Sequence, residues 1–516
     1  SLQTWMYSSL EANLKAVGRS QAQLVTKHVV KGECVLFQQY LATHPEAQTF
    51  FKPFMGHYGK SRLNKEAYIK DIKKYAQPIT IGMVDTSVFE CAVMNVKTML
   101  SNLDFGQFEY ITDSEVIFKS LNMKAAVGAM YSGKKKEYFE GKTASELDEF
   151  LKESCKRLYT GKKGVWNGSI KAELRPIEKV HANKTRTFTA APIDTLLGAK
   201  TCVDDFNNFF YMQHTKGPWS VGMTKFSQGW DKMLRKIPDG WIICDADGSR
   251  FDSSLTPYLI NAVAHIRQYF NEDWDIGDQM LRNLYTEIVY TPILTADGTI
   301  VKKYRGNNSG QPSTVVDNTL MVLLAVQYAM LKNGINDVEQ KECVYFANGD
   351  DLVIAIPPER EHVLNTMAEF FAELGLSYDF GNRHKRKEDI WFMSHKAITR
   401  EGIFIPKLEE ERIVAILEWS RTENYEHRLE AICAAMIEAW GYDELLKQIR
   451  LFYSWVLEQE PYKTLASEGR APYISEYALR RLYLGNDDND AELYNRYLRA
   501  LIDNYTHDDS DVVIHQ

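Results

Sequence analysis

The chain lacks most of what would tie it to a stapled, metal-ribbed or membrane-embedded fold. Its seven cysteines (Cys34, Cys91, Cys155, Cys202, Cys244, Cys343 and Cys433) never fall into a Cys-x-x-Cys pair. That excludes the common zinc frameworks and leaves buried free thiols in a reducing compartment as the expectation. No apolar run is read as long enough to span a bilayer, and no signal-peptide pattern opens the chain, so no integral membrane segment is expected. Internal repeats and low-complexity linkers are missing. So is an excess of positive charge: the net charge is −8, which argues against a chain coated in nucleic acid.

What is there is a soluble-type composition over 516 residues, enough for several subdomains with large cores. Charge is unevenly distributed. Basic residues crowd Lys124 to Arg186, including Lys134, Lys135, Lys136, Lys179 and Lys184, whereas acids gather near the C-terminus at Asp487, Asp488, Asp490, Asp508, Asp509 and Asp511. A basic channel within an acidic shell fits this, although mixed helix surfaces account for part of it. Trp241–Asp247 reads as a buried strand, Pro257–Phe270 as a helix started by Thr256 and Pro257, and Glu287–Lys302 as a hairpin turning at Asp297-Gly298. Ser313–Leu331 reads as a long apolar helix, Glu361–Leu374 as an amphipathic one, and Ser377–Phe380 as a strand. From about Glu411 the pattern is helical, with breaks at Gly441 and Gly469. This order suits a small antiparallel sheet backed by helices, an α+β core.

The most informative stretch is YFANGDDLVIAI, Tyr345 to Ile356, read as a β-hairpin with Asp350 and Asp351 at its tip. Taken alone, Gly-Asp-Asp is an ordinary solvated turn. Two adjacent carboxylates repel, by about 4 kcal/mol at ~4 Å and an effective dielectric near 20, so fixing them together points to a divalent cation. Oxygen ligands of this kind suit Mg²⁺ or Mn²⁺ and hence phosphates. Asp247, closing the apolar strand before DADGSRFD, is the candidate third carboxylate. Two ions held by Asp247, Asp350 and Asp351 would make a phosphoryl-transfer site.

These residues resemble the motifs of the RNA-dependent RNA polymerases of positive-strand RNA viruses. DADGSRFD resembles motif A, SGQPSTVVDNT (Ser309–Thr319) motif B, Gly349-Asp350-Asp351 motif C, KAELRPIEKVHANKTR (Lys171–Arg186) motif F and WFMSH (Trp391–His395) motif E. They stand in the family order F, A, B, C, E, and within the family the phrasing is most similar to the potyviral polymerases of the nuclear inclusion b type. The end Val513-Ile514-His515-Gln516 resembles the residues before a potyviral protease cut.

The resemblance implies a closed right-hand polymerase: fingers in 1–190, palm in 191–268 with motif A, a fingers insertion in 269–307, palm again in 308–405 and a helical thumb in 406–516. It implies that Lys171, Arg175, Lys184 and Arg186 contact the triphosphate, with Glu173 orienting Arg175. Asp252 would sense the ribose, Ser309 and Gly310 would form a flexible loop approached by RNA, and Thr314 and Asn318 would face the ribose pocket. Lys134, Lys135 and Lys136 fall in VGAMYSGKKKEYF, which resembles motif G, the template guide; Lys179 adds to the RNA-facing charge. For the motif D general acid the candidates are Arg383, Lys385 and Lys387, with Lys385 preferred. His181 and His384 read as ordinary polar residues. Implied partners are template and product RNA, ribonucleoside triphosphates, a genome-linked protein that primes through a tyrosine, and other viral replication proteins. Implied locations are cytoplasmic membrane-associated replication complexes and the nucleus of an infected host cell.

Two other readings remain open at this point. IICDADGS also resembles the nucleophile motif of haloacid-dehalogenase-type phosphatases, with Asp245 phosphorylated and Asp247 as acid/base. A non-catalytic RNA-binding replication protein is the other. Asp252 and Asn318, read as selecting for a ribose hydroxyl, argue against a reverse transcriptase.

Overall fold

In the computed structural model, residues 13–20, 32–78, 82–121, 134–420 and 424–486 are described. The stretch 127–133 of the motif G resemblance, the acids from Asp487 onward and the Val513–Gln516 end lie outside them.

The central element is an antiparallel sheet. Strand β1 (Ile242–Ser249) is followed by helices α1 (Pro257–Phe270) and α2 (Thr314–Lys332). The hairpin β2 (Val344–Asn348) and β3 (Asp351–Ile356) comes next, then α3 (Leu364–Glu373), β4 (Ser377–Asp379) and β5 (Arg383–His384). The strand order is β2-β3-β1-β4, with β5 also pairing β1. Alternation sorts the side chains. Ile242, Cys244 and Ala246 of β1 join Leu352, Ile354 and Ile356 of β3 in the largest core, which α1, α2 and α3 fill. On the other face, Ile243, Val353 and Ala355 pack with Trp230, Phe346 and Phe392.

Helix α2 is buried on all sides and mostly apolar because it runs through the middle of that core. By length and composition it could cross a membrane, which corrects the reading that no run is long enough, but 89% of that window is buried inside the protein. Two element expectations shift. Glu287 to Val289 close the helix Asp275–Val289, so the hairpin is shorter, Pro292–Leu294 with Thr299–Lys303. The segment before Leu364 is a 3-10 turn, Pro358–Val363, opened by Pro358 at its first position, where a missing N–H costs nothing.

Residues assigned to one N-terminal body are divided among several cores. Phe37, Tyr40 and Phe51 pack with Phe452 and the C-terminal helices. Phe89, Val96 and Leu100 join the central core, Tyr68 and Ile72 a third cluster with Ile170 and Val301, and Ile117 and Leu151 a fourth.

Candidate active site

The hairpin between β2 and β3 turns on two residues, Gly349 and Asp350, with Asn348 paired to Asp351. Gly349 takes φ 57°, the left-handed value such a turn needs at its first position, and its N–H donates to Thr319 Oγ1 of α2 at 2.8 Å. Leu352 pairs with Ala246, so the next positions outward, Asp351 and Asp247, stand opposite each other on one face of the sheet. Residues so placed have Cβ atoms about 5 Å apart, and like charges there destabilise.

The remaining acids close in around them. Asp350 is pushed up to about 7, first because surrounding protein limits its solvation, then by Asp351 and Asp252; Arg186 opposes this. Asp351 is pushed up to about 6, again first by its surroundings and also by Asp247, against the backbone N–H of Met393 that donates to it. Both side chains are nonetheless open to solvent at the strand tip, so the penalty comes from nearby protein atoms rather than from enclosure. Four hard carboxylates held together against their own repulsion are the donor set a divalent cation requires. Asp247, Asp350 and Asp351 therefore fit the expected ions. Among the described residues, the only group of three or more such side chains with ligand atoms all within 4.8 Å of one another is Asp273, Asp275 and Asp278, at the exposed start of the Asp275–Val289 helix.

Two supports were not foreseen in the sequence. Tyr378 of β4 lies opposite Gly248, where a Cβ would sit 2.7 Å from its ring, and its hydroxyl donates to the carbonyl of Asp350. The WFMSH segment forms a tight turn in which Phe392 and His395 exchange both backbone hydrogen bonds. Met393 and Ser394 take φ 53° and 65°, which aims the Met393 N–H at Asp351. A left-handed methionine is uncommon and costs strain, and no local pattern announces it.

The basic segment before the Thr187–Ala190 strand supplies the opposing charge. Buried Glu173 forks onto Arg186, through Nε at 2.5 Å and through Nη2, and meets Arg175 only at 3.8 Å. Glu173 thus orients Arg186 rather than Arg175, which instead donates to the Lys184 carbonyl at 3.0 Å. The Arg186 side chain remains 57% exposed and faces the acids. Lys171 lies over the Phe188 ring at 5.7 Å, while Lys179 and Lys184 are exposed.

Where the sugar pocket is expected, Asn318 Nδ2 donates to Asp252 Oδ1 at 2.9 Å, joining α2 to the turn after β1. Several expectations need correction. The Thr314 hydroxyl is buried and donates to the carbonyls of Asn308 and Gln311, so it braces the loop instead of facing a ribose. Gly310 is buried too. Its N–H donates to the Thr189 carbonyl at 2.9 Å, and a Cβ would meet that oxygen at 2.3 Å, so it abuts the neighbouring strand, not RNA. Ser309 Oγ accepts from the Thr189 N–H at 3.3 Å.

Lys385 is not brought to the acids. β5 pairs Arg383 with Cys244 and His384 with Ile243, so Lys385 follows toward Ile242. That is five positions back from Asp247, roughly 16 Å at the strand rise. Arg383 pairs with Glu361 at 3.2 Å and Lys387 with Asp239 at 2.9 Å. In the other basic cluster, Lys134 and Lys136 are exposed, but Lys135 is 2% exposed and does not present its charge to RNA.

The phosphatase reading fails on Asp245. Its buried carboxylate accepts from Asn382 Nδ2 at 2.6 Å, the Trp391 N–H at 2.8 Å and His384 Nε2 at 2.9 Å, which ties β5 and the WFMSH turn to β1. A carboxylate committed to three donors is not an open nucleophile, and the sheet is antiparallel rather than doubly wound.

Comparison with known proteins agrees with this geometry. A family model described as "Viral RNA-dependent RNA polymerase" matches residues 38–457. The genome polyprotein of Lettuce mosaic virus (strain 0 / isolate French) is 62% identical over 515 residues, which is 99% of this chain and 16% of that one. Those of Beet mosaic virus and Plum pox potyvirus (strain El amar) are 63% and 62% identical over 99% of the chain, covering 17% and 34% of their lengths. The chain thus spans about a sixth to a third of the curated relatives it matches. In fold it is similar to a Sicinivirus 3Dpol RNA dependent RNA polymerase, with TM-score 0.70, 14% identity, and 95% and 100% of the two chains covered. The fold is the right-hand polymerase fold, and the chain belongs to the viral RNA-dependent RNA polymerase family.

Proposed function

We propose that this chain adds ribonucleoside triphosphates, one at a time and as an RNA template directs, to a 3′-hydroxyl with release of pyrophosphate. The observation that carries the reading is the meeting of Asp247, Asp350 and Asp351 with Arg186 on one side and the Asp252–Asn318 pair on the other. Asp247, Asp350 and Asp351 would hold two Mg²⁺ or Mn²⁺ ions, which when bound supply Lewis-acid activation of the attacking hydroxyl and neutralise charge on the leaving oxygen. Arg186, kept extended by Glu173, offers a planar fork to the triphosphate. Asp252 and Asn318 offer an acceptor and a donor to the ribose 2′-hydroxyl, so a deoxynucleotide would leave polar groups unpaired. The Met393–Ser394 turn would seat the primer end beside Asp351.

The resemblance and the identity to genome polyproteins also support initiation on the tyrosine hydroxyl of a genome-linked protein, association with other viral replication proteins, and work in membrane-associated complexes of an infected cell, with a nuclear pool. The test is extension on oligo(A) with labelled UTP and Mg²⁺ or Mn²⁺. Asp350→Asn is expected to lose nucleotide addition by several orders of magnitude while RNA binding persists. Extension retained in that variant overturns the metal assignment.

A further inference from the structure

Behind the Asp252–Asn318 pair lies a residue that no motif role covers. Asn307 is 2% exposed and held at every polar group. Its N–H donates to the Asp252 carbonyl at 2.8 Å, and its carbonyl accepts from Tyr75 Oη at 2.9 Å. Its side-chain Oδ1 accepts from the Asn308 N–H at 2.8 Å and from Gln311 Nε2 at 3.2 Å, and its Nδ2 donates to Asn318 Oδ1 at 2.9 Å.

These bonds fix a direction. A backbone N–H can only donate, so the Asn307 atom beside Asn308 must be the oxygen. Its amide nitrogen then faces Asn318, which must answer with Oδ1. Asn318 is left presenting its NH₂ group to Asp252, and among the described residues the second of those hydrogens has no acceptor. The pair therefore offers a hydroxyl both a donor and a carboxylate acceptor.

We propose that Asn307 is a positioning residue that sets the hydrogen-bond polarity of the sugar pocket and, through it, selection for a 2′-hydroxyl. The inference rests on the reading of Asp252 and Asn318 as that pocket. Asn307→Asp is the informative change, because it keeps the acceptor for Asn308 and Gln311 but replaces the donor with an acceptor. Asn318 must then turn its NH₂ group inward and set its oxygen against Asp252, which removes the donor from the pocket.

The experiment measures kcat/KM for UTP and for its 2′-deoxy analogue on oligo(A), with wild type, Asn307→Asp, Asn307→Ala, Asn318→Ala and the double variant Asn307→Asp/Asn318→Ala. Asn307→Asp is expected to lower the ribo-to-deoxy ratio by roughly tenfold or more, mainly through a higher KM for UTP. Asn307→Ala, which removes the donor without reversing it, is expected to lower it less. The double variant is expected to match Asn318→Ala alone, since a residue acting through Asn318 has nothing left to orient. A ratio unchanged in Asn307→Asp, or effects that add in the double variant, overturn the proposal. Should thermal scans show Asn307→Asp unfolded, Asn307→Ala decides it, and an unchanged ratio there overturns it equally. No extension by the wild-type chain would instead strike the polymerase reading on which the inference rests.

Discussion

At the scale of single residues, the site is built from charges held where they are least comfortable. Asp350 and Asp351 lie above the ordinary carboxylate range because protein surrounds them and like charges face them. The folded state therefore keeps protons that the unfolded chain would release. The stability these groups contribute is full below the unfolded carboxylate range, near pH 4, and is lost as pH rises through about 6 to about 7. Mn²⁺ or Mg²⁺ should offset the loss, so the cation-induced rise in Tm is expected to be larger at pH 8 than at pH 5. Without cations, Asp350→Asn should flatten the fall in Tm between those pH values; a steeper fall in the variant would count against mutual repulsion. Arg186 works from the opposite side. Arg186→Ala should raise the apparent KM for nucleotide several-fold with a smaller change in kcat, and unchanged saturation would remove it from the triphosphate site.

At the scale of elements, close backbone approach decides what each loop can do. The Ser309-Gly310 loop is joined to the Thr187–Ala190 strand by the Gly310–Thr189 hydrogen bond, and that strand begins one residue after Arg186. The Ser309-Gly310 loop and the segment bearing Arg186 are therefore held as neighbours. Gly310→Ala forces a methyl group against the Thr189 carbonyl, an overpacking cost of about 1–3 kcal/mol. A denaturant titration should show that loss together with reduced activity. Wild-type stability in the variant would mean that the strand and loop can part.

At the scale of the whole molecule, the C-terminal helical core is tied to the central sheet by buried charge. Glu438, on the helix α4 (Tyr425–Ala439), accepts two hydrogen bonds from Lys225 at 2.7 and 2.9 Å. The same ammonium lies 2.9 Å from His395 Nε2, whose other ring nitrogen contacts the Met393 carbonyl at 2.5 Å. The helices thus bear on the turn that donates to Asp351. Removing one partner of a pair this deeply buried leaves an uncompensated charge, so Glu438→Ala should destabilise by about 3–5 kcal/mol. Chemical denaturation measures this, and a loss well under 1 kcal/mol would show that the core reorganises around Lys225.

The site's vocabulary was legible in the chain: an apolar strand ending in Asp247, a glycine-led acidic turn at Asp350, an Asn in the first turns of a long helix, and a basic run ending at Arg186. Local periodicity and turn chemistry suffice for those, because strand, helix and turn preferences are set within a few residues. The sequence also determined the family, through the order of its motifs. Which partner each side chain meets was decided only by the tertiary structure. Register placed Asp351 opposite Asp247 and left Lys385 at the far end of the same strand; packing turned Thr314 and Gly310 inward, gave Glu173 to Arg186, and locked Asn318 through Asn307. Such contacts join residues far apart in the chain, and their geometry follows from how whole elements fit together rather than from any residue's near neighbours.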